Sequence, residues 1–444
     1  MSNARLKIRP EVILIGILAV AVIACGAILL YKKFEPQAQA DSEMPLAARI
    51  DQTDGDVGVE RQLNDQTANG APEQSQASLP AAAATSSGDW AQVTRNTPVS
   101  VGDRICVRDG SHAGVAFSGR RYARLDSGAF LDVLSLNPTR TQLALRDGTA
   151  MFDIGDLSSG QLFEVATPCG AIDFNEPGLY QVGFGTDGNT VISVLNGSAQ
   201  VVGLAGSGRA TRGEMLTLAA AATDQAFVSN LQPDYCGRMV DSYYKYRYPS
   251  VYDGRYSDYQ RYIASPDYDP YDASASHHYI SDDSDIAGLE DLDEYGRWQD
   301  VSGYGQCWSP NEDEGWAPYR QGYWVNDGPV GLSWVSSESW GWAPYHYGRW
   351  ASVDGRWYWV PGREIDHPVY SPALVAFVPV KDSDDVAWVP LGPTDPYVPC
   401  YYDSSFHAHY IGRSDQITVR NTVYNLEVPG AVTAVPLARF TGLI

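Results

Sequence analysis

The stretch GWAPYRQGYW at residues 315–324 returns as GWAPYHYGRW at residues 341–350, displaced by 26 positions without a gap. The period extends outward from these two runs. Gly296, Gly322 and Gly348 are spaced by 26, as are Trp298, Trp324 and Trp350, and the pairs Gly305/Gly331, Trp308/Trp334 and Trp316/Trp342 keep the same interval. After Trp350 the register slips by one, leaving Trp357 and Trp359 to close a partial third copy. A fixed period in the twenties signals one supersecondary unit used repeatedly. The unit predicted here is a β-hairpin, with Asp327-Gly328 and Asp354-Gly355 as turns. Residues 292–400 therefore read as a Trp-rich repeat module of an all-β protein.

Eleven of the 12 tryptophans fall between Trp298 and Trp388. Each buries roughly 150–250 Å², so leaving half of them exposed would exceed the roughly 300–600 Å² apolar patch of an ordinary monomer. They are core, interface or both, and the sequence leaves that choice open. Alternation in Trp357-Tyr358-Trp359 puts the two tryptophans on one sheet face and Tyr358 on the other. Stacked repeats would bury one face. Tyr323, Trp334, His346 and Tyr358 are the candidate ligand-binding residues, on a surface suited to sugar rings or to Pro-rich or cationic peptides.

Val12 to Leu30 is a run of 19 uncharged residues, about the length that crosses a hydrocarbon core of roughly 30 Å as helix. Basic residues flank it on both sides, with a narrow bias toward a cytoplasmic N-terminus. The expected order is a short cytoplasmic tail (1–11), a transmembrane anchor (12–31) and a flexible tether (32–89) whose composition buries too little surface to fold. A lipoprotein cleavage site before Cys25 competes with the uncleaved anchor. The formal charge of −23 disfavours nucleic acid and anionic lipid as ligands of the exported body.

Residues 90–220 change to short alternating strands separated by Gly and Asp turns, an all-β domain with little helix. Asn196-Gly197 reads as a two-residue hairpin turn. GFGTDG at 183–188 links two apparent strands, which makes it a hairpin loop rather than a dinucleotide site. Residues 221–291 form a Tyr- and Asp-rich connector with one short helix near 243–248, and residues 401–444 a C-terminal extension.

The runs VGDRI from Val101, ARL from Ala123, Thr167-Pro168, GLYQV from Gly178, VLNGSAQV from Val194 and Gly213-Glu214 resemble the landmarks of a FecR-type domain. The resemblance implies a periplasmic β-domain of the kind found in bacterial iron-signalling regulators. The runs LDEYGRW from Leu292, WGWAPYHYGRW from Trp340, WYWVPG from Trp357, SPALVAF from Ser371, WVPLGP from Trp388 and PGAVTAVP from Pro429 resemble an uncharacterised Trp-rich domain. That domain lies C-terminal to FecR-type domains in bacterial envelope proteins, which implies location and architecture but no reaction. Five cysteines follow the anchor. Cys307 and Cys400 stand where the Trp-rich family more often shows an apolar residue, so they are paired, as are Cys106 and Cys169, as candidate disulfides. Cys236 is left over.

No G-x-S-x-G, H-E-x-x-H or P-loop pattern is present, and no cofactor is implied. Asp283, Asp285 and Glu294 fit positions one, three and twelve of a calcium loop, but Ala287 removes the ligand at position five, and a solvated acidic linker is the competing reading. His407 and His409 share a strand face without a third ligand. The function expected is a non-enzymatic, single-pass inner-membrane protein, its bulk periplasmic, that acts as a scaffold and binds an envelope protein or a polysaccharide such as peptidoglycan. One alternative is a FecR-like signalling regulator acting through another membrane protein, since only about ten residues precede the span. The other is a glycan-processing enzyme.

Overall fold

The computed structural model describes residues 48–61, 90–157, 160–203, 206–220, 227–230, 274–280, 286–327, 331–362, 369–380, 383, 385–397, 400–402, 408–410 and 423–441. The expected anchor at 12–31, the Cys25 cleavage site, the helix near 243–248, Cys236, Asp283, Asp285 and His407 lie outside them. Among the described residues the chain is built mainly of strands, and each α-helix has six residues or fewer. No helix among them is long and apolar enough to cross a membrane.

Two nine-stranded sheets face one another. The first runs in space as Phe227–Asn230, Glu214–Leu218, Thr190–Val194, Gly178–Phe184, Ala150–Ile154, Arg121–Leu125, His112–Phe117, Ala48–Asp54 and Pro98–Val99. The second runs as Gly206–Thr211, Ser198–Gly203, Gly170–Phe174, Leu162–Thr167, Arg140–Asp147, Phe130–Asn137, Arg104–Val107, Val57–Glu60 and Ala91–Gln92. Pairing is antiparallel except between Arg140–Asp147 and Leu162–Thr167. Strict alternation drives the layering: in Leu162–Thr167 the buried residues are Phe163, Val165 and Thr167. Phe163, Phe152 and Phe174 meet in the middle, with ring centroids 5.6–6.0 Å apart.

Two local readings are corrected here. The tether expected over 32–89 is ordered from 48 to 60, where Ala48, Ile50, Val57 and Val59 are at most 1% exposed in the sandwich core. Its low aromatic content hid a period-two pattern around Asp54-Gly55. Asn196-Gly197 is no hairpin turn, because the strands it joins belong to different sheets. Gly197 alone takes a positive φ of 87°, and a Cβ there would lie 2.0 Å from the Tyr180 hydroxyl that pins this corner. The GFGTDG loop does close a hairpin, between Gly178–Phe184 and Thr190–Val194.

Each repeat of the second part is a hairpin with tryptophans directly opposite one another: Trp298 with Trp308, Trp324 with Trp334, Trp350 with Trp359. The hairpins do not stack in chain order. Gly305–Pro310 of the first repeat pairs with Arg356–Val360 of the third, making a four-stranded sheet, while Gly322–Asn326 and Leu332–Ser336 form a separate two-stranded one. A further sheet joins Val375–Pro379, Asp385–Pro390 and Thr433–Pro436. The C-terminal extension thus supplies a strand to the module. Ala116 and Tyr122 from the outer face of the first sandwich sheet belong to the module's core, so the two parts share packing.

Candidate functional site

The cross-strand register sets Trp298, Trp308, Trp359 and Trp350 in one row across the four-stranded sheet. Trp308, Trp350 and Trp359 are fully buried. Their indole N–H groups donate to the carbonyls of Leu292, Pro344 and Tyr347 at 3.1, 3.0 and 2.8 Å. Each indole thus satisfies its one polar atom, which lets so large a ring serve as core. The two WAPY runs close on each other: the Tyr319 ring packs tilted against Tyr345, centroids 4.5 Å apart, and its hydroxyl donates to the Tyr345 carbonyl at 2.6 Å.

The four candidate binding residues do not share an open face. Trp334 is 2% exposed and His346 1%, so both are corrected from ligand-facing to core. His346 packs tilted against Trp342 and stacks on Tyr370, with centroids 4.3 and 5.1 Å away, and its Nδ1 lies 2.9 Å from the Ser371 carbonyl. Tyr323 and Tyr358 are half-buried on different sheets, and the Tyr323 hydroxyl is 2.9 Å from Thr94 Oγ1. Among the described residues, one open aromatic surface lies elsewhere. Tyr279 is 43% exposed and stacks on Trp298 with centroids 5.0 Å apart and planes 18° from parallel. Trp298 is held by its N–H to Ser276 Oγ at 2.8 Å, and Ser276 donates in turn to Asp293. Tyr295, 36% exposed, lies three residues before Trp298 in the chain.

The candidate disulfides are also corrected. Cys106, Cys169 and Cys307 are buried free thiols. Three strand steps separate Cys106 from the strand that leads to Cys169, about 14 Å of sheet against the roughly 7 Å a bridge allows. Burial pushes the Cys307 thiol up to about 11, while the Cys400 side chain lies outside the described residues. Glu294 is exposed on the short helix Leu292–Tyr295, and Ile286 and Ala287 of the supposed calcium loop are core residues. The described residues contain no group of three or more His, Cys, Asp or Glu placed to hold a metal ion.

Between the sandwich and the tryptophan module runs a junction that sequence patterns do not mark. Arg49 alternates outward between Ala48 and Ile50, yet is 0% exposed because the module covers it. Its guanidinium donates to Asn96 Oδ1 at 2.9 Å and to Asp291 at 2.5 Å, and Arg95 reaches the same Asp291 at 2.8 Å. Burial opposes the Arg49 charge, but Asp291, Glu290 and Asp51 outweigh it and hold the group above its ordinary value. Asn96, with φ of 66°, turns its amide to the carbonyls of Ser336 and Glu338 at 3.3 and 2.8 Å. Asn suits that left-handed position better than most residues. Arg61 and Ser100 meet the buried Asp327 of the module at 3.3 and 3.1 Å.

Gly288 fits against this network by lacking a side chain. Its φ is +79°, and a Cβ would stand 2.7–2.8 Å from the Arg49 guanidinium. Gly288→Ala is expected to destabilise the protein by about 2–3 kcal/mol in urea unfolding. A change under about 0.5 kcal/mol would show the contact to be slack.

Glu338 accepts from Trp316 Nε1 at 2.8 Å, from Ser336 and from Tyr345. Burial pushes its carboxyl from 4.5 up to about 7, against those three bonds. Burial likewise raises Asp103 to about 7 from 3.8, opposed by Arg61, and holds His346 down at about 4 from 6.5. Glu338 and Asp103 bind protons more tightly in the folded state, so their contribution is complete below the unfolded values and is lost as pH rises to about 7. His346 has the opposite sign, its contribution complete above 6.5 and lost as pH falls toward about 4. Urea unfolding from about pH 5.5 to about pH 8 should show falling stability that Glu338→Gln flattens by on the order of 2–3 kcal/mol. An unchanged slope in the variant would remove Glu338 from this account.

A family of unknown function (DUF6600) matches residues 289–395, the tryptophan module without its last strand. No curated protein matches the chain. Two crystal structures described as a "putative anti-sigma factor" from Parabacteroides distasonis are similar at 16% and 18% identity, with TM-scores of 0.28 and 0.27. Each covers 31% of this chain, which in turn spans 64% and 62% of them, less than two thirds of their length.

Proposed function

We propose that the chain is a non-enzymatic scaffold of the bacterial cell envelope, anchored in the inner membrane by one N-terminal helix and binding a periplasmic protein or a glycan polymer. Its FecR-like sandwich and its tryptophan module act as one presenting unit. The observation that carries this reading is the Tyr279–Trp298 stack, an aromatic platform 43% exposed at Tyr279, on a chain whose other tryptophan rows are spent as core. Such a ring face takes the C–H side of a sugar or an apolar side chain, and the chain's net charge of −23 turns away polyanions.

Retention of the full chain on insoluble peptidoglycan, in mild non-ionic detergent, tests it. Retention that falls at least fivefold in Tyr279→Ala with unchanged circular dichroism supports the glycan arm. Absent retention together with Tyr279-dependent crosslinking to an envelope protein supports the protein arm. Turnover of glycan by the wild type, or partition of the chain to the cytosol, would overturn the proposal.

A further inference from the structure

The end of the last described segment, 433–441, is held differently from residues 423–431. Residues 423–431 are tied to the module by polar contacts, of which those of Asn425 are buried. Asn425 is fully buried and donates to the carbonyls of Trp350 and Pro390 at 2.9 and 3.0 Å. The Tyr424 amide donates to Asp395 at 3.0 Å, Arg320 donates to the Gly430 carbonyl, and Ala431 is 0% exposed. Val432 then comes out to 38% exposure.

Beyond it, Thr433–Pro436 pairs only along the edge of Asp385–Pro390, with none of its own side chains fully buried. Val435 and Leu437 rest half-buried on the core. Among the described side chains of the segment, Phe440 alone is fully buried, in a cage of Trp324, Phe377 and Trp388 with centroids 6.3, 6.4 and 6.3 Å away. The acceptor side is the reverse: Val386, Ala387, Trp388 and Val389 are all buried. A segment that lies on a sheet edge and fully buries only one of its described side chains belongs to the low-stability end of a fold, the part that opens without global unfolding.

We infer that residues 433–441 form a strap that undocks as a unit from Val432, and that the groove it leaves, the edge of Asp385–Pro390 with the Phe440 cage, accepts the same segment from a second copy of this chain. The fit is already displayed in cis: backbone pairing supplies affinity, and the aromatic anchor four residues past the strand supplies specificity. A second copy carries the identical strand and anchor, so exchange creates no new contact and loses none. The inference goes beyond the proposed function and holds whichever partner the Tyr279 platform takes.

A labelled peptide of residues 431–444 stands in for the second copy's strap. Binding is followed by fluorescence anisotropy to the full wild-type chain and to full-chain Phe440→Ala, whose own strap is weakened. The expected result is at least tenfold tighter binding to the variant, and at least tenfold loss when the peptide itself carries Phe440→Ala. A folded variant that does not bind, or binding indifferent to the peptide's Phe440, overturns the inference. Should the variant fail to fold, hydrogen exchange on the wild type decides instead. Amides of 433–441 should exchange at least a hundredfold faster than those of 424–431, and equal rates overturn the strap.

Discussion

Arg49→Met is expected to destabilise the protein by about 3–5 kcal/mol, because it strands Asp291 beneath the module without its main counter-charge. The side chain is 0% exposed, and its loss also leaves Asn96 Oδ1 without the donor it meets at 2.9 Å. Methionine keeps much of the volume, so cavity formation is a minor part of the effect. Arg95 stays within 2.8 Å of Asp291 but is itself partly exposed, and recovers only a fraction of the pairing. Adding Asp291→Leu should recover stability relative to the single variant, since removing both buried charges leaves only the partly exposed Arg95, whose charge water can solvate. Guanidinium unfolding of the two singles and the double variant measures this. Additive losses would mean that Arg49 acts through packing alone.

Trp359→Ala is expected to lose a similar amount, about 3–5 kcal/mol, as a large-to-small change at a fully buried site. Trp359 stands in the middle of the row between Trp308 and Trp350, and Trp298 lies against it at 5.9 Å. The adjacent Tyr358→Ala, on the half-buried face of the same strand, should lose less than about 1.5 kcal/mol. The pair is a direct comparison of core and surface one residue apart, read from the unfolding midpoints. Equal losses would contradict the alternation.

The repeat was legible because Gly and Trp at constant intervals reflect a hairpin geometry that local residues enforce. The alternation of Trp357, Tyr358 and Trp359 also read correctly, since side-chain period two needs no tertiary knowledge. What the sequence left open was which strands pair across repeats. The join between Gly305–Pro310 and Arg356–Val360 skips a whole repeat, and nothing local to either strand marks it. The junction was hidden for a different reason. Arg49, Asn96 and Asp291 look like solvated residues until a second layer covers them, and their burial is a property of docking. Trp334 and His346 were misplaced by the same limit, because an aromatic or histidine side chain reads alike on an open face and in a core. Tyr279 was lost in a segment whose composition reads as connector.

The sandwich and the tryptophan module, joined through Arg49, Asn96 and Asp291, are expected to unfold as one cooperative unit. Only Trp90 among the 12 tryptophans lies outside the module region, so intrinsic fluorescence reports the module, while far-ultraviolet circular dichroism weighs the strands of both parts. Equilibrium unfolding of the wild type followed by both signals should give one coincident transition. A fluorescence transition displaced from the dichroism transition would mean that the module unfolds by itself, and the shared junction would be refuted.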